Sequence, residues 1–137
     1  MNISLPLTIL CHPRCSTCAK ALSWLDSHNI SYTWKNIIED NPCAEDLQKW
    51  ITQSKLPIRR FFNTSGMVYR NNNVKALLDE WSTNLSDDEF LERSCKLLGT
   101  DGMMCKRPLV IDNQGNFIAV GFKEPEWDNA FKALIAS

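Results

Sequence analysis

Leu7-Thr8-Ile9-Leu10-Cys11-His12-Pro13-Arg14-Cys15-Ser16-Thr17-Cys18 is the stretch from which the rest of the chain is read. The apolar run from roughly Leu5 to Cys11 predicts a short strand, closed by His12-Pro13-Arg14. Cys18, Ala21, Leu22 and Leu25 then recur at helical spacing, so a helix is expected over roughly Ser16 to His28. A Cys-x-x-Cys pair therefore falls at a strand-to-helix turn. A thiol there meets backbone N–H groups without intrahelical partners and the positive end of the helix dipole. Both favour a thiolate, which is the nucleophile of thiol chemistry. A second thiol three residues on can attack a mixed disulfide formed by the first. Cys15 precedes the buried stripe and Cys18 begins it, so Cys15 is expected to be exposed and Cys18 half-covered.

Further along, Ile30 to Ile37 alternates and carries Tyr32 and Trp34, the pattern of a second strand. Asn41-Pro42 is expected to cap a helix with Leu47, Trp50 and Ile51 on one face. Residues from about Leu56 to Gly102 read as helical, with Ser86 and Glu89 as a capping box and Phe90, Leu91, Leu97 and Leu98 on one face. Arg107-Pro108 leads into a third strand, Leu109 to Ile111. A loop over Asp112 to Asn116 turns it into a fourth, Phe117 to Val120. Glu124-Pro125-Glu126 opens a last helix bearing Trp127, Ala130, Phe131 and Leu134.

This order, β-α-β, a helical block, then β-β-α, predicts an α/β fold of thioredoxin-like type. It has a mixed sheet, flanking helices and a helical insertion between strands 2 and 3. One domain is expected over residues 1–137, with the insertion at roughly 56–102. A proline before the third strand is often cis in this fold, and a cis Pro108 would bring backbone beside Cys15.

Bulk properties narrow the function classes. A formal net charge of -1 provides no global field for nucleic acid or an anionic membrane. The first residues lack a basic region followed by a long apolar stretch, so no signal peptide is expected and a cytoplasmic protein is. The six cysteines, at 11, 15, 18, 43, 95 and 105, then point to thiol chemistry and not to a disulfide framework. Zinc at Cys15 and Cys18 would want two further ligands at matched spacing. There is no second Cys-x-x-Cys and no His pair, and Cys11 is expected to point away or to pack within its strand. No metal is therefore expected.

Five pieces in order carry a resemblance over nearly the whole chain. They are Pro13-Arg14-Cys15-Ser16-Thr17-Cys18, Phe61-Phe62-Asn63-Thr64-Ser65-Gly66, Asp101-Gly102-Met103, Lys106-Arg107-Pro108-Leu109-Val110 and Val120-Gly121-Phe122-Lys123-Glu124. With them the chain resembles the arsenate-reductase-like family that also contains the Spx-type regulators. The Asn63 to Gly66 and Asp101-Gly102 stretches look closer to a third, reductase-like subgroup with Cys-x-x-Cys. The resemblance implies a thioredoxin-like fold, a reactive cysteine at Cys15 and an arginine, Arg107, beside it. Arsenate reductases of the family set three arginines around the oxyanion. Here Arg107 has a clear match, while the other two positions fall on Asn63 and near Val120 or Gly121. Two missing guanidinium groups remove bidentate recognition of an arsenate dianion. The family's glutaredoxin-coupled reductases also lack a cysteine matching Cys18.

The expected activity is thus that of a thiol-disulfide oxidoreductase, with Cys15 as nucleophile, Cys18 as resolving thiol and Arg107 stabilising the thiolate or an anionic group. Arg14, Ser16, Thr17, Asn63 and Pro108 are candidate substrate-binding residues. Arg14 is equally readable as a solvated helix-entry residue, and Asn63, Thr64 and Ser65 as caps of an insertion helix. No cofactor is needed beyond an external thiol reductant: thioredoxin, glutaredoxin or glutathione. The chain is expected to be a monomer. Two alternatives stand beside this reading. One is a redox-sensing regulator of the Spx type, which would dock on the α subunit of RNA polymerase. The other is a true arsenate reductase. Cys11, Cys43 and Cys95 read as packing or helix-start residues, and Cys105 as a packed residue or a distant alternative resolving thiol.

Overall fold

The computed structural model describes residues 2–135. Four strands, β1 (Leu7–Cys11), β2 (Tyr32–Asn36), β3 (Leu109–Ile111) and β4 (Phe117–Val120), form one mixed sheet in the order β2-β1-β3-β4. β1 runs parallel to β2 and antiparallel to β3, and β3 is antiparallel to β4. A parallel neighbour cannot be reached by a tight turn, so β1 and β2 need a crossover. α1 (Ser16–Ser27) supplies it.

The backbone divides into two compact units. One comprises residues 2–36 and 107–135 and contains the whole sheet, α1, α6 (Glu124–Ala130) and α7 (Lys132–Ile135). Its core joins one face of β1 to the inner stripe of α1. Leu7, Ile9 and Cys11 alternate onto that face and meet Cys18, Ala21, Trp24 and Leu25. Trp127 and Phe131 of the C-terminal segment close the core, with Trp127 edge-on to Trp24 at 5.4 Å between ring centroids. The Trp127 indole N–H donates to the Gly121 carbonyl at 3.0 Å, so this buried polar atom is satisfied.

The other unit, Ile37–Lys106, is helical: α2 (Ala44–Ser54), α3 (Met67–Asn71), α4 (Val74–Asn84) and α5 (Asp87–Leu98), with short 3-10 turns at Ile58–Phe61 and Gly102–Met104. It occupies the expected place between the second and third strands, and α2 belongs to it. Gly102 permits a close backbone approach here, because a Cβ at that position would collide with the Ile37 carbonyl.

Several local expectations change. β2 is shorter than the alternating run suggested and lies at the sheet edge, where Thr33, Trp34 and Lys35 are exposed. The cap of α2 is not Asn41 but Cys43, whose Sγ accepts the Asp46 N–H at 3.4 Å. Ser86 does cap α5, accepting the Glu89 N–H at 3.2 Å. The reciprocal contact, however, is the Ser86 hydroxyl donating to the Glu89 carboxylate. The innermost face of α5 carries Ser94, Cys95 and Leu98, while Phe90, Leu91 and Leu97 flank it half-buried.

Asp112 organises the loop between β3 and β4. Its Oδ1 accepts the N–H groups of Gln114 and Asn116 at 2.9 and 3.0 Å, and Oδ2 takes the Ser4 N–H at 3.5 Å. Burial pushes this carboxyl's pKa up, but the backbone donors from Asn116, Gln114 and Ser4 outweigh it and leave the pKa below the ordinary carboxylate value. A lowered folded pKa means that the carboxylate stabilises the fold above its unfolded value of about 4. That contribution is lost as pH falls through the folded value. Asp112→Ala is expected to lower the unfolding free energy by about 1–3 kcal/mol at neutral pH in urea titrations. The gap to wild type should shrink on acidification; a gap unchanged between neutral and strongly acidic pH would contradict this role.

Candidate active site

β1 ends at Cys11, and a tight turn follows. The Cys15 N–H donates to the His12 carbonyl at 3.1 Å, and the His12 Nδ1 accepts the Arg14 N–H at 3.2 Å. These two bonds fold Pro13 and Arg14 outward, where both are exposed. Cys15 then takes extended backbone angles (φ -94°, ψ 113°) as N-cap of α1. Its Sγ accepts the Cys18 N–H at 3.4 Å, and its carbonyl receives the Ala19 N–H at 3.1 Å. A sulfur thus occupies the position that a Ser or Asp oxygen takes in ordinary caps. Sulfur is a weak acceptor as a thiol, and ionised acceptors form stronger bonds.

Ser16 and Thr17 supply the two helical N–H groups ahead of Cys18; Ser16 is exposed and Thr17 half-buried. Cys15 is half-buried, less open than the stripe argument suggested. Cys18 is 2 % exposed and so fully buried instead of half-covered. The cause lies in the core: the helix stripe that begins at Cys18 packs directly on β1.

Cys11 takes the second of its two expected places, packed within its strand. Its side chain packs in the same buried cluster as Cys18, and the Cys11 thiol is the largest influence on the Cys18 thiol. That influence, and burial after it, push the Cys18 thiol well above the ordinary thiol range. The His12 backbone and the Cys15 thiol act in the opposite direction and do not offset it. Cys18 is therefore held as a thiol. The signal was present in the sequence: period-two alternation places Cys11 on the face of Leu7 and Ile9, toward the helix that carries Cys18.

Arg107 and Pro108 reach the same end of the sheet. Leu109 pairs with Leu10, so the two preceding residues lie at the C-terminal end of β1, from which the cysteine turn departs. Arg107 is half-buried, with its Nε shielded from solvent, and the Arg107-Pro108 bond is cis. The Pro108 carbonyl accepts the Gly121 N–H at 2.8 Å. Gly121 itself is buried at φ 70°, a left-handed conformation that disfavours any larger side chain.

Asn63 belongs to the helical unit and is half-buried. Its N–H donates to the Met104 carbonyl at 2.8 Å, its carbonyl accepts the Gly66 N–H, and its side chain lies over Gly66. The cap of α3 is Gly66, without a side-chain cap bond, so none of Asn63, Thr64 or Ser65 caps that helix. Cys95 and Cys105 are buried. Burial raises the Cys95 thiol to about 11, and the Cys105 thiol donates to the Leu98 carbonyl at 3.6 Å. All six cysteines are free thiols. Among the described residues, no group of three or more His, Cys, Asp or Glu side chains is arranged to hold a metal ion.

The sequence pattern of the ArsC family matches residues 10–130. The chain is 42% identical over 122 residues to the uncharacterized protein YusI of Bacillus subtilis, covering 89% of this chain and 95% of that one. It is 23% identical over 120 residues to the global transcriptional regulator Spx of Staphylococcus aureus, covering 88% and 82%. An ArsC-family-related protein from Bacteroides fragilis superposes with a TM-score of 0.78 at 40% identity, covering 92% of this chain and 99% of the other.

Alkylation of the native reduced protein by iodoacetamide, mapped by peptide mass, is expected to reach Cys15 and the exposed Cys43 well before Cys11, Cys18, Cys95 and Cys105. Labelling of Cys18 as fast as Cys15 would contradict the described burial.

Proposed function

The chain belongs to the ArsC family, and from that premise we propose that it is a thiol-dependent oxidoreductase acting in the cytoplasm, with Cys15 as nucleophile and Cys18 as resolving thiol. The observation that carries this reading is the cap of α1: the Cys15 Sγ accepts a backbone N–H at a helix start, and a second thiol lies directly behind it. The Cys15 thiolate attacks one sulfur of an oxidised substrate, and the other sulfur leaves as a thiolate and takes up a proton. Cys18 then gives up its proton and attacks the Cys15 sulfur. The substrate thiol is released and a Cys15–Cys18 disulfide remains, so two electrons have passed to the substrate. Thioredoxin, glutaredoxin or glutathione returns them.

Arg107, placed by the β1–β3 register at the same end of the sheet, is the candidate to stabilise the thiolate or an anionic substrate group. Arg14, Ser16, Thr17 and Pro108 belong to the same turn region and are proposed to line the substrate. In the sequence, Asn63 and a position near Val120 or Gly121 correspond to the other two arginines of the family's arsenate reductases, and neither is an arginine here. Disulfide substrates are therefore favoured over arsenate.

The Spx relative supports a second reading, in which the same disulfide alters a docking surface for RNA polymerase, at its α subunit, instead of completing a turnover. Capture of the C-terminal domain of polymerase α by one redox form only would favour it.

The mechanism separates the two cysteines experimentally. Cys15→Ser is expected to abolish reduction of a disulfide substrate such as hydroxyethyl disulfide. Cys18→Ser should accumulate a Cys15 mixed disulfide with glutathione, visible by intact mass. In the wild type, release of glutathione from that adduct should accelerate about tenfold per pH unit across the neutral to mildly alkaline range, because Cys18 must lose a firmly held proton. A rate that levels off in that range, or a Cys18→Ser protein that clears the adduct at the wild-type rate, would remove Cys18 from the resolving role. Arg107→Ala with undiminished reduction of hydroxyethyl disulfide would remove Arg107.

A further inference from the structure

We propose that Cys11 is a third redox thiol, which accepts the disulfide from the Cys15–Cys18 pair and holds it as a buried Cys11–Cys18 bond across the β1–α1 junction. The inference extends the dithiol reading above and rests on it for the first oxidation step. Two independent features carry it. The first is packing: Cys11 and Cys18 belong to one buried cluster, Cys15 is packed against it, and the Cys18 backbone N–H donates to the Cys15 Sγ, so Cys18 has a thiol neighbour in the core and another at the helix start. The second is position. Cys11 is the last residue of β1 and Cys18 lies in the first turn of α1, on the two surfaces that face each other in the core. Both are buried, at 0 and 2 % exposure, while Cys15 is packed against the same cluster from its solvent side.

The exchange is redox-neutral. In the Cys15–Cys18 disulfide, the Cys11 thiol loses its proton and its sulfur attacks Cys18 Sγ. The Cys11–Cys18 bond forms as the Cys15–Cys18 bond breaks, and Cys15 leaves as a thiolate. The proton released from Cys11 passes to Cys15 or to solvent. The departing sulfur returns to the cap position, where the Cys18 N–H is already directed at it. The protein is then oxidised by two electrons, yet presents a free thiol at the helix start and shields its disulfide from external thiols. Reduction runs back along the same path: Cys15 attacks Cys18, Cys11 is released, and an external thiol resolves the exposed pair.

Trypsin separates the two disulfides. Cleavage after Arg14 and Lys20 places Cys11 in one peptide and Cys15 with Cys18 in the next, Cys15-Ser16-Thr17-Cys18-Ala19-Lys20. A Cys15–Cys18 bond is internal to that peptide. A Cys11–Cys18 bond joins it to the preceding peptide and leaves Cys15 free to carry a tag. The full-length protein would be oxidised with diamide, quenched in acid, alkylated and digested, with the tagged cysteine located by fragmentation. The expected result is both species in the wild type, with a joined peptide tagged at Cys15. Cys11→Ala should lose that species entirely and keep the internal disulfide. Cys15→Ser, which removes the pair that passes its disulfide on to Cys11, should form neither species. An oxidised wild type that holds only the internal Cys15–Cys18 bond, with Cys11 always tagged, would overturn the proposal and leave the dithiol reading standing. Absence of both disulfides, with Cys18 always tagged, would overturn the two together. The wild-type measurement decides the matter even where Cys11→Ala does not fold.

Discussion

A backbone N–H pointing at a sulfur, Cys18 N–H to Cys15 Sγ, ties the chemistry of this chain to its fold. A helix that starts immediately after a central strand must satisfy its first-turn donors locally. Here the satisfying group is itself the candidate reactive atom. The same turn fixes the helix stripe in register with β1, so that Cys18, Ala21, Trp24 and Leu25 meet Leu7, Ile9 and Cys11. Moving the cap by one residue would rotate that stripe by about 100° and unpack the core.

The remainder of the sheet-bearing unit supports this junction. β3 pairs with β1 on the side away from β2, and its register delivers Arg107 and Pro108 to the end of β1 where the turn departs. Asp112 holds the next turn by accepting backbone donors, and Trp127 seals the core through its bond to Gly121. Burial then divides the thiols into chemical classes. Cys15 sits at the boundary with solvent, Cys18 behind it is held protonated, and Cys11 is enclosed.

Much of this was legible in the sequence, because the strongest patterns are local. The helix stripe from Cys18, the hairpin around Asp112 and the order of elements all follow from period and turn chemistry. The misreadings share one physical origin, in that they concern which neighbour covers a residue. The buried face of α5 centres on Ser94 and Cys95, small residues beside larger half-buried ones, and hydrophobicity alone ranks Phe90 and Leu97 above them. Trp34, part of the run read as the second strand, stands at the sheet edge and is exposed by 41 %. The neighbours of Cys11 are set in the same way. Alternation puts it on the face of Ile9, but only the packing of α1 on that face shows that it meets Cys18. Asn63 carries a turn over Gly66, a local use that no spacing rule distinguishes from a ligand contact.

A redox titration of the purified protein tests the account most directly. The protein would be equilibrated in thiol-disulfide buffers over a range of potentials, and the thiol content of Cys18 read by differential mass tagging. The account predicts that Cys18 passes from thiol to disulfide in one reversible two-electron transition, with its sulfur paired within the chain. A Cys18 that remains a thiol at every potential, while Cys15 is consumed as an adduct with the buffer thiol, would contradict it.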